Sequence, residues 1–313
     1  MSFEITSELL ANITSSIEVS NDKAIVALFE EMHYADIAEI LDELSFDNVV
    51  YIIKLLDSEK TSAVLMELDE DIREKTLQNL SAKEIAEEVE ELDSDDAADI
   101  IGELSQERQE AVLSKIEDEE HVKEIEELLA YDEDSAGGLM AKELVKVNEN
   151  WTVLKCVREM RAQAEEVTRV HSIYVVDDND KLKGRLSLKD LLITSTKTAI
   201  SEVYIPKVDF VNVHDNLDEV SNKMRKYDLE AIPVIDNNGV LLGRITIDDI
   251  VDVIKEGADK DYQLAAGLTQ DVEADDSILQ LTKARLPWLF LGLLGGVGAF
   301  LIMVMFENTF DEN

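Results

Sequence analysis

Carboxylates at helical spacing are the residues of this sequence best placed to do chemistry. Asp95 and Asp99 stand four apart in LDSDDAADIIGEL (92–104), hence on one face of one predicted helix. Asp248, Asp249 and Asp252 open a second predicted helix, and Asp228 lies ahead of it in YDLE. Such side chains suit a hard cation. A small hard dication takes oxygen ligands and gives up its waters reluctantly, so a site for one needs only one or two carboxylates. If these faces approach each other, a divalent ion lowers their repulsion; without it the acidic surfaces should swing apart. Each residue also has a structural reading. Asp95 can satisfy free N–H groups of a first helical turn, Asp99 can be a solvated partner, and Asp248 and Asp249 can cap the helix they begin.

The elements that must position these groups fall into three regions. In the first, Leu44, Leu56, Leu68, Leu80, Leu92, Leu104 and Ile116 recur every twelve residues. The first six are followed by Ser45, Asp57, Asp69, Ser81, Asp93 and Ser105, all good helix N-caps. Apolar positions inside each unit lie three and four apart, as one buried helical face requires. A two-turn helix cannot bury that stripe alone, so neighbours must stack into a superhelix.

The second region reads as two copies of a mixed unit. IYVVDDNDKLKGRLSLKDLL (173–192) aligns on IPVIDNNGVLLGRITIDDIV (232–251), and VKVNENWTVLKCVREMR (145–161) on DFVNVHDNLDEVSNKMR (209–225). Each copy runs extended segment, helix, strand, turn, strand, helix, which predicts a pseudo-twofold pair with a shared core. In the third, a polar connector leads to LTKARLPWL and an apolar run from Trp288 to Phe306. That run spans about 29 Å as a helix, close to the hydrocarbon thickness of a bilayer. Lys283 and Arg285 precede it and Glu307, Asp311 and Glu312 follow, which places residues 1–286 on the cytoplasmic side. Gly292 and Gly296 have the spacing of a close helix–helix contact. The sequence stops seven residues past the run, as a truncated chain would.

Composition narrows the function. Across 313 residues there are 70 acidic and 29 basic side chains, a net charge of −41. Residues 1–130 hold 37 acidic and 9 basic residues, so −28 of that charge sits in the helical region. Such a surface repels nucleic-acid phosphates and attracts cations. The single cysteine, Cys156, excludes an intrachain disulfide, and the N-terminus lacks the basic and apolar parts of a secretion signal. No nucleophile triad, phosphate-cradling glycine loop or HExxH helix appears, so an enzyme is not expected.

The order of these regions resembles the MgtE family of magnesium channels, in which an acidic helical superhelix, a CBS domain pair and a connecting "plug" helix precede a five-helix pore. DSAGGLM (134–140) resembles the family's lead into its first CBS domain, LDSDDAADIIGEL its N-domain signature, and TKARLPWL (282–289) the approach to its first membrane helix. The resemblance implies a multidomain fold: an all-α superhelical N-terminal domain, an α+β tandem CBS pair, a connecting helix and one transmembrane α-helix. The expected boundaries are 1–130, CBS domains at 131–200 and 201–254, the connector at 255–286, the span at 287–306 and a tail at 307–313.

The resemblance further implies a homodimer in the inner (plasma) membrane, multi-pass when full length and contacting lipid through 287–306, that senses and transports Mg2+. It marks Asp95, Asp99, Asp228, Asp249 and Asp252 as metal ligands beside Asp248, with Asp218 and Asp261 as weaker matches. Gly257, Lys260 and Asn216 stand where the family pattern expects carboxylates. GRLSLKD (184–190) and GRITIDD (243–249) resemble the CBS motif in which Ser187, Asp190, Thr246 and Asp249 would hold the ribose of ATP. The structural alternative is that Gly184 and Gly243 make the strand turn while Ser187 and Thr246 cap the helix behind it. Two other functions stay open: a membrane-anchored module sensing adenine nucleotides, and a helical scaffold without a cation response.

Overall fold

The computed structural model describes residues 5–164, 167, 169–265 and 278–311, and divides into two compact units, Met1–Ile247 and Asp248–Asn313. The first unit begins with a run of short helices: α1 (Ser7–Glu18), α2 (Asp22–Phe29), α3 (Tyr34–Asp42), α4 (Phe46–Ile53), α5 (Ser58–Glu67), α6 (Glu70–Asn79), α7 (Ala82–Val89), α8 (Ser94–Gly102), α9 (Gln106–Leu113) and α10 (Glu119–Leu128). Ser45, Asp57, Asp69, Ser81, Asp93 and Ser105 are the N-caps of α4 to α9, as the twelve-residue spacing predicts. Asp57 accepts the Lys60 N–H at 3.0 Å, and Ser81 and Glu84 close a reciprocal capping box.

Helices pack on the next but one: α3 on α5, α5 on α7, α7 on α9, α4 on α6 and α8 on α10. Two rows of helices result, which is how units too short to fold alone share one core. Leu68, Leu80, Leu104 and Ile116 of the repeat are buried; Leu44, Leu56 and Leu92 are half-buried. Long basic side chains tie the rows together. Lys60 Nζ reaches the carbonyls of Phe29 and Glu30 at 2.7 and 2.6 Å, and Arg108 Nη2 those of Leu77 and Leu80 at 2.9 and 2.8 Å. Both satisfy carbonyls at a helix C-terminus, the negative end of its dipole.

The mixed repeats follow. The first is β1 (Val145–Asn148), α11 (Val153–Gln163), β2 (Ile173–Val176), β3 (Leu182–Leu186) and α12 (Leu188–Ile193). The second is β4 (Val211–Asn212), α13 (Leu217–Tyr227), β5 (Ala231–Ile235) and β6 (Leu241–Thr246). Each forms a three-stranded sheet, ordered β1-β2-β3 or β4-β5-β6, with one parallel and one antiparallel pairing. The copies are joined by exchange: Ala141, ahead of the first, bridges to Arg244 on β6, and Ile205, ahead of the second, bridges to Arg185 on β3. Lys181 pairs with Val240 across the centre, where Tyr174, Val176 and Leu241 share a small core.

This exchange corrects the role given to two glycines. Gly184 and Gly243 do not make the strand turns; they lie inside β3 and β6. A Cβ on Gly184 would strike the Ile205 carbonyl and the Tyr204 ring, and one on Gly243 the Ala141 carbonyl and Met140. They are glycine so that the crossing segment can approach. The turns fall at Asp177–Asp180 and Asp236–Gly239, with Asp180 at φ 55° and Gly239 at φ 84°. Ser187 does cap α12, accepting the Asp190 N–H at 3.4 Å.

The second unit holds the remainder of α14 (Ile247–Ala265) and α15 (Ile278–Asp311). No break occurs at the expected 254/255 boundary: apolar positions Ile247, Ile250, Val251 and Ile254 continue one face, and α14 runs on through Gly257. Helix α15 starts before the expected span and continues through Pro287, with Thr282–Met303 long and apolar enough to cross a membrane.

The glycine argument gives a paired expectation. Gly243→Ala should destabilise the mixed repeats by about 1–3 kcal/mol through overpacking. Gly257→Ala, with nothing within 4 Å, should be neutral or stabilise α14 by about 0.5–1 kcal/mol. Thermal unfolding of the two variants side by side checks both signs.

Candidate metal centre

The N-terminus of α8 carries a run of acidic residues that cannot all act as caps. Asp93 is the N-cap by backbone conformation, yet its side chain makes no capping bond. It faces Arg244 of β6 instead, with Nη2 to Oδ2 at 3.2 Å. The cap comes from another part of the chain: Glu143 accepts the Ser94 N–H at 3.0 Å and the Ser94 hydroxyl at 2.9 Å. The Lys142 N–H in turn donates to Ser94 Oγ at 2.9 Å. Arg244 completes the arrangement by donating its Nε–H to the Glu143 carbonyl at 2.6 Å. The segment just ahead of β1 therefore ties α8 of the helical domain to β6 of the second repeat.

Both cations here are held away from water. Arg244 is buried and Lys142 retains 8% side-chain exposure while pairing with Glu127 at 2.7 Å. Their partners Glu127 and Asp93 keep 47% and 25% side-chain exposure, so water screens both pairs and losing one costs less than the ~3–5 kcal/mol of a fully buried pair. The docking is thus specified in register by charge as well as by shape. The glycines of DSAGGLM serve the same joint. The Ala136 and Gly137 N–H groups donate to the Asp215 and Val213 carbonyls at 2.8 Å each. A Cβ on Gly137 would meet Tyr131 and Val213, and one on Gly138 the Asp132 carbonyl.

Glu143 belongs to two groups able to hold a metal ion. In one, ligand atoms of Asp93, Asp95 and Glu143 lie within 4.8 Å of one another; in the other, those of His121, Glu124 and Glu143 do. All five residues are half-buried. Bonds of about 2.1 Å put adjacent ligands of an octahedral magnesium ion about 3.0 Å apart and opposite ones about 4.2 Å apart. The first group fits that ion with a small closure or with water completing the shell, and in it Asp93 also pairs with Arg244. In the second group burial, then the negative charge of Glu143, pushes the Glu124 carboxyl up to about 7.

The expected ligands scatter around this joint. Asp95 is in it, with Oδ1 also accepting the Asp96 N–H at 3.0 Å. Asp99 is exposed one turn further along α8. Asp218 is exposed in the first turn of α13, where Asn216 caps its N–H at 2.9 Å, and Asp228 is the exposed, left-handed C-cap of that helix at φ 50°. Among the described residues, neither metal-capable group draws in Asp99, Asp218 or Asp228. Asp248, Asp249 and Asp252 belong to the second unit, along the first turns of α14. The Asp261 side chain lies outside the described residues. The sequence marks Asp93 as a helix cap and does not single out Asp93, His121, Glu124 or Glu143 as metal ligands. His121 and Glu124, three apart on α10, did carry a signal in their spacing.

Comparison with known proteins agrees with these elements. The family model of the MgtE intracellular N domain matches residues 32–134, and that of the CBS domain matches 136–195 and 200–256. The magnesium transporter MgtE of Thermus thermophilus is 37% identical over 183 residues, covering 58% of this chain and 41% of the relative. Its namesake from Enterococcus faecalis is 34% identical over 184 residues, covering 59% and 40%. The chain thus spans about two fifths of the length of these curated relatives, which are transporters rather than enzymes. A crystal structure of the cytosolic domain of the Mg2+ channel MgtE in complex with ATP superposes with a TM-score of 0.73 at 33% identity, covering 78% of this chain and all of that one. Matched in sequence along its helical and CBS domains and in structure over 78% of its length, the chain belongs to the MgtE family.

Proposed function

We propose that this chain is the magnesium-sensing and gating portion of an MgtE-type channel, with its docked helical domain representing the ion-rich state. One observation carries the reading: Asp93 and Asp95 of the helical domain and Glu143 of the segment ahead of the CBS pair bring their carboxylates within 4.8 Å. Two unit charges at that separation repel by about 3 kcal/mol at an effective dielectric constant of 20. The two bonds from Ser94 to charged Glu143 contribute about 1.5–3 kcal/mol each. Glu143 faces two such carboxylates across the joint, so the repulsion is of the same order as the Ser94 bonds and the Arg244 pairing together, and a bound divalent ion shifts the balance toward the docked state.

In this reading Asp95 and Glu143 hold Mg2+ with help from Asp93. Asp99, Asp228, Asp248, Asp249 and Asp252 are the next carboxylates to recruit ions, followed by Asp218 and Asp261. The chain acts as a homodimer in the plasma membrane, with 287–306 crossing the bilayer and residues 1–286 in the cytoplasm. The helical domain extends to about 130 and the CBS pair to 254, with the connector over 255–286. Ion binding draws the helical domains onto the CBS pairs and clamps the two connecting helices, closing the pore of the full-length channel when cytoplasmic Mg2+ is high. The ATP complex of the related cytosolic domain supports a second, compatible role for Ser187, Asp190, Thr246 and Asp249 in nucleotide binding.

Two measurements test this. Millimolar Mg2+ should slow proteolysis within the 130–140 joint, and equal cleavage in Mg2+ and in chelator would contradict the reading. Glu143→Gln keeps a carbonyl acceptor for Ser94 but removes the charge. It should raise the Mg2+ concentration for half-protection about tenfold, equivalent to about 1.4 kcal/mol, whereas Glu107→Gln on α9 should leave that concentration unchanged.

A further inference from the structure

The second group around Glu143 differs from the first in one atom type. His121 brings an imidazole nitrogen to the two carboxylates of Glu124 and Glu143, with all three ligand atoms within 4.8 Å of one another. The ring is already oriented: a nitrogen of His121, Nε2, lies 3.3 Å from the Val89 carbonyl on α7. As the donor in that bond Nε2 carries the proton, and Nδ1 keeps its lone pair. Metal-binding histidines are commonly fixed in this way by a backbone carbonyl. His121 and Glu124, three apart on α10, share a helix face, and α10 is itself started by Asp118, whose carboxylate accepts the Glu120 and His121 N–H groups at 2.8 and 3.3 Å.

The third ligand is equally well held. Glu143 is pinned by Ser94, and each of its oxygens keeps a further lone pair after accepting one hydrogen bond. The neighbouring cation, Lys142, is paired with Glu127 at 2.7 Å and offsets only part of the negative charge here.

We infer that His121, Glu124 and Glu143 form a binding site for a first-row transition-metal dication, distinct from the all-oxygen group of Asp93, Asp95 and Glu143. One nitrogen and two carboxylates suit zinc or manganese, whereas magnesium prefers oxygen throughout. Three protein ligands leave room for water to complete the coordination. The ligands come from the last helix of the helical domain and from the segment ahead of the CBS pair, so an ion there staples the joint. Because Glu143 serves both groups, occupancy of this site biases the same docking that the magnesium reading describes. The binding itself does not rest on that reading.

Calorimetric titration of the 313-residue chain in detergent with Zn2+, in millimolar Mg2+, tests it. We expect a saturable Zn2+ transition that survives the Mg2+, and a Co2+-loaded form with visible bands of a nitrogen-ligated ion. His121→Ala and Glu124→Gln should each weaken Zn2+ at least about tenfold, while His214→Ala leaves it unchanged and all three variants keep the wild-type circular dichroism. Glu124→Gln is close to isosteric, so it decides the matter should His121→Ala unfold. Unchanged Zn2+ affinity in folded Glu124→Gln, or loss of the wild-type transition in Mg2+, would overturn the inference. Neither result touches Mg2+ protection of the joint, which is read by proteolysis.

Discussion

The structure turns on the Glu143 carboxylate. It caps a helix from a distant part of the sequence, and in doing so is drawn into a field of other carboxylates. Its two hydrogen bonds from Ser94 hold α8 against the CBS pair, while Asp93, Asp95 and Glu124 stand close enough to repel it. Arg244 and Lys142 offset part of that repulsion. A helical domain of net charge −28 cannot be held by hydrophobic contact alone without weakening any response to ions. A joint made of nearly balanced charges can respond, because a single dication is a large fraction of the balance.

The rest of the fold follows from making that joint definite. Short capped helices stack into a superhelix in which α8 packs on α10. The exchanged segments of the mixed repeats place Ala141, and with it Lys142 and Glu143, beside Arg244. Gly137, Gly138 and Gly243 allow backbones to approach where any side chain would intrude. The sequence motif DSAGGLM is thus a packing requirement, and the acidic chemistry lies on either side of it.

Much of this architecture was legible before the structure. Six N-caps were read correctly from Ser45 to Ser105 because the twelve-residue period and the capping residues coincide. The duplicated strand–turn–strand unit was equally plain, since DDND and DNNG punctuate both copies. The site was only partly legible. Spacing alone leaves Asp95 as a first-turn residue and only the family resemblance marks it as a ligand; Asp93 reads as a helix cap, and the structure turns its side chain to Arg244. Glu143 sits in an unremarkable stretch, AKEL, and acquires its role through contacts about fifty residues away. Gly184 and Gly243 were misassigned for the same reason: what a glycine must admit is a neighbour that sequence spacing does not name.

The most direct test of the central claim measures the docking itself. Cys156 is buried with its thiol pushed up to about 11 by burial, so spin labels introduced through Glu67→Cys and Lys197→Cys will dominate a pulsed dipolar experiment. In saturating Mg2+ the account predicts one narrow interlabel distance between helical domain and CBS pair. In chelator it predicts a longer, broader distribution. The same narrow distance under both conditions would contradict it.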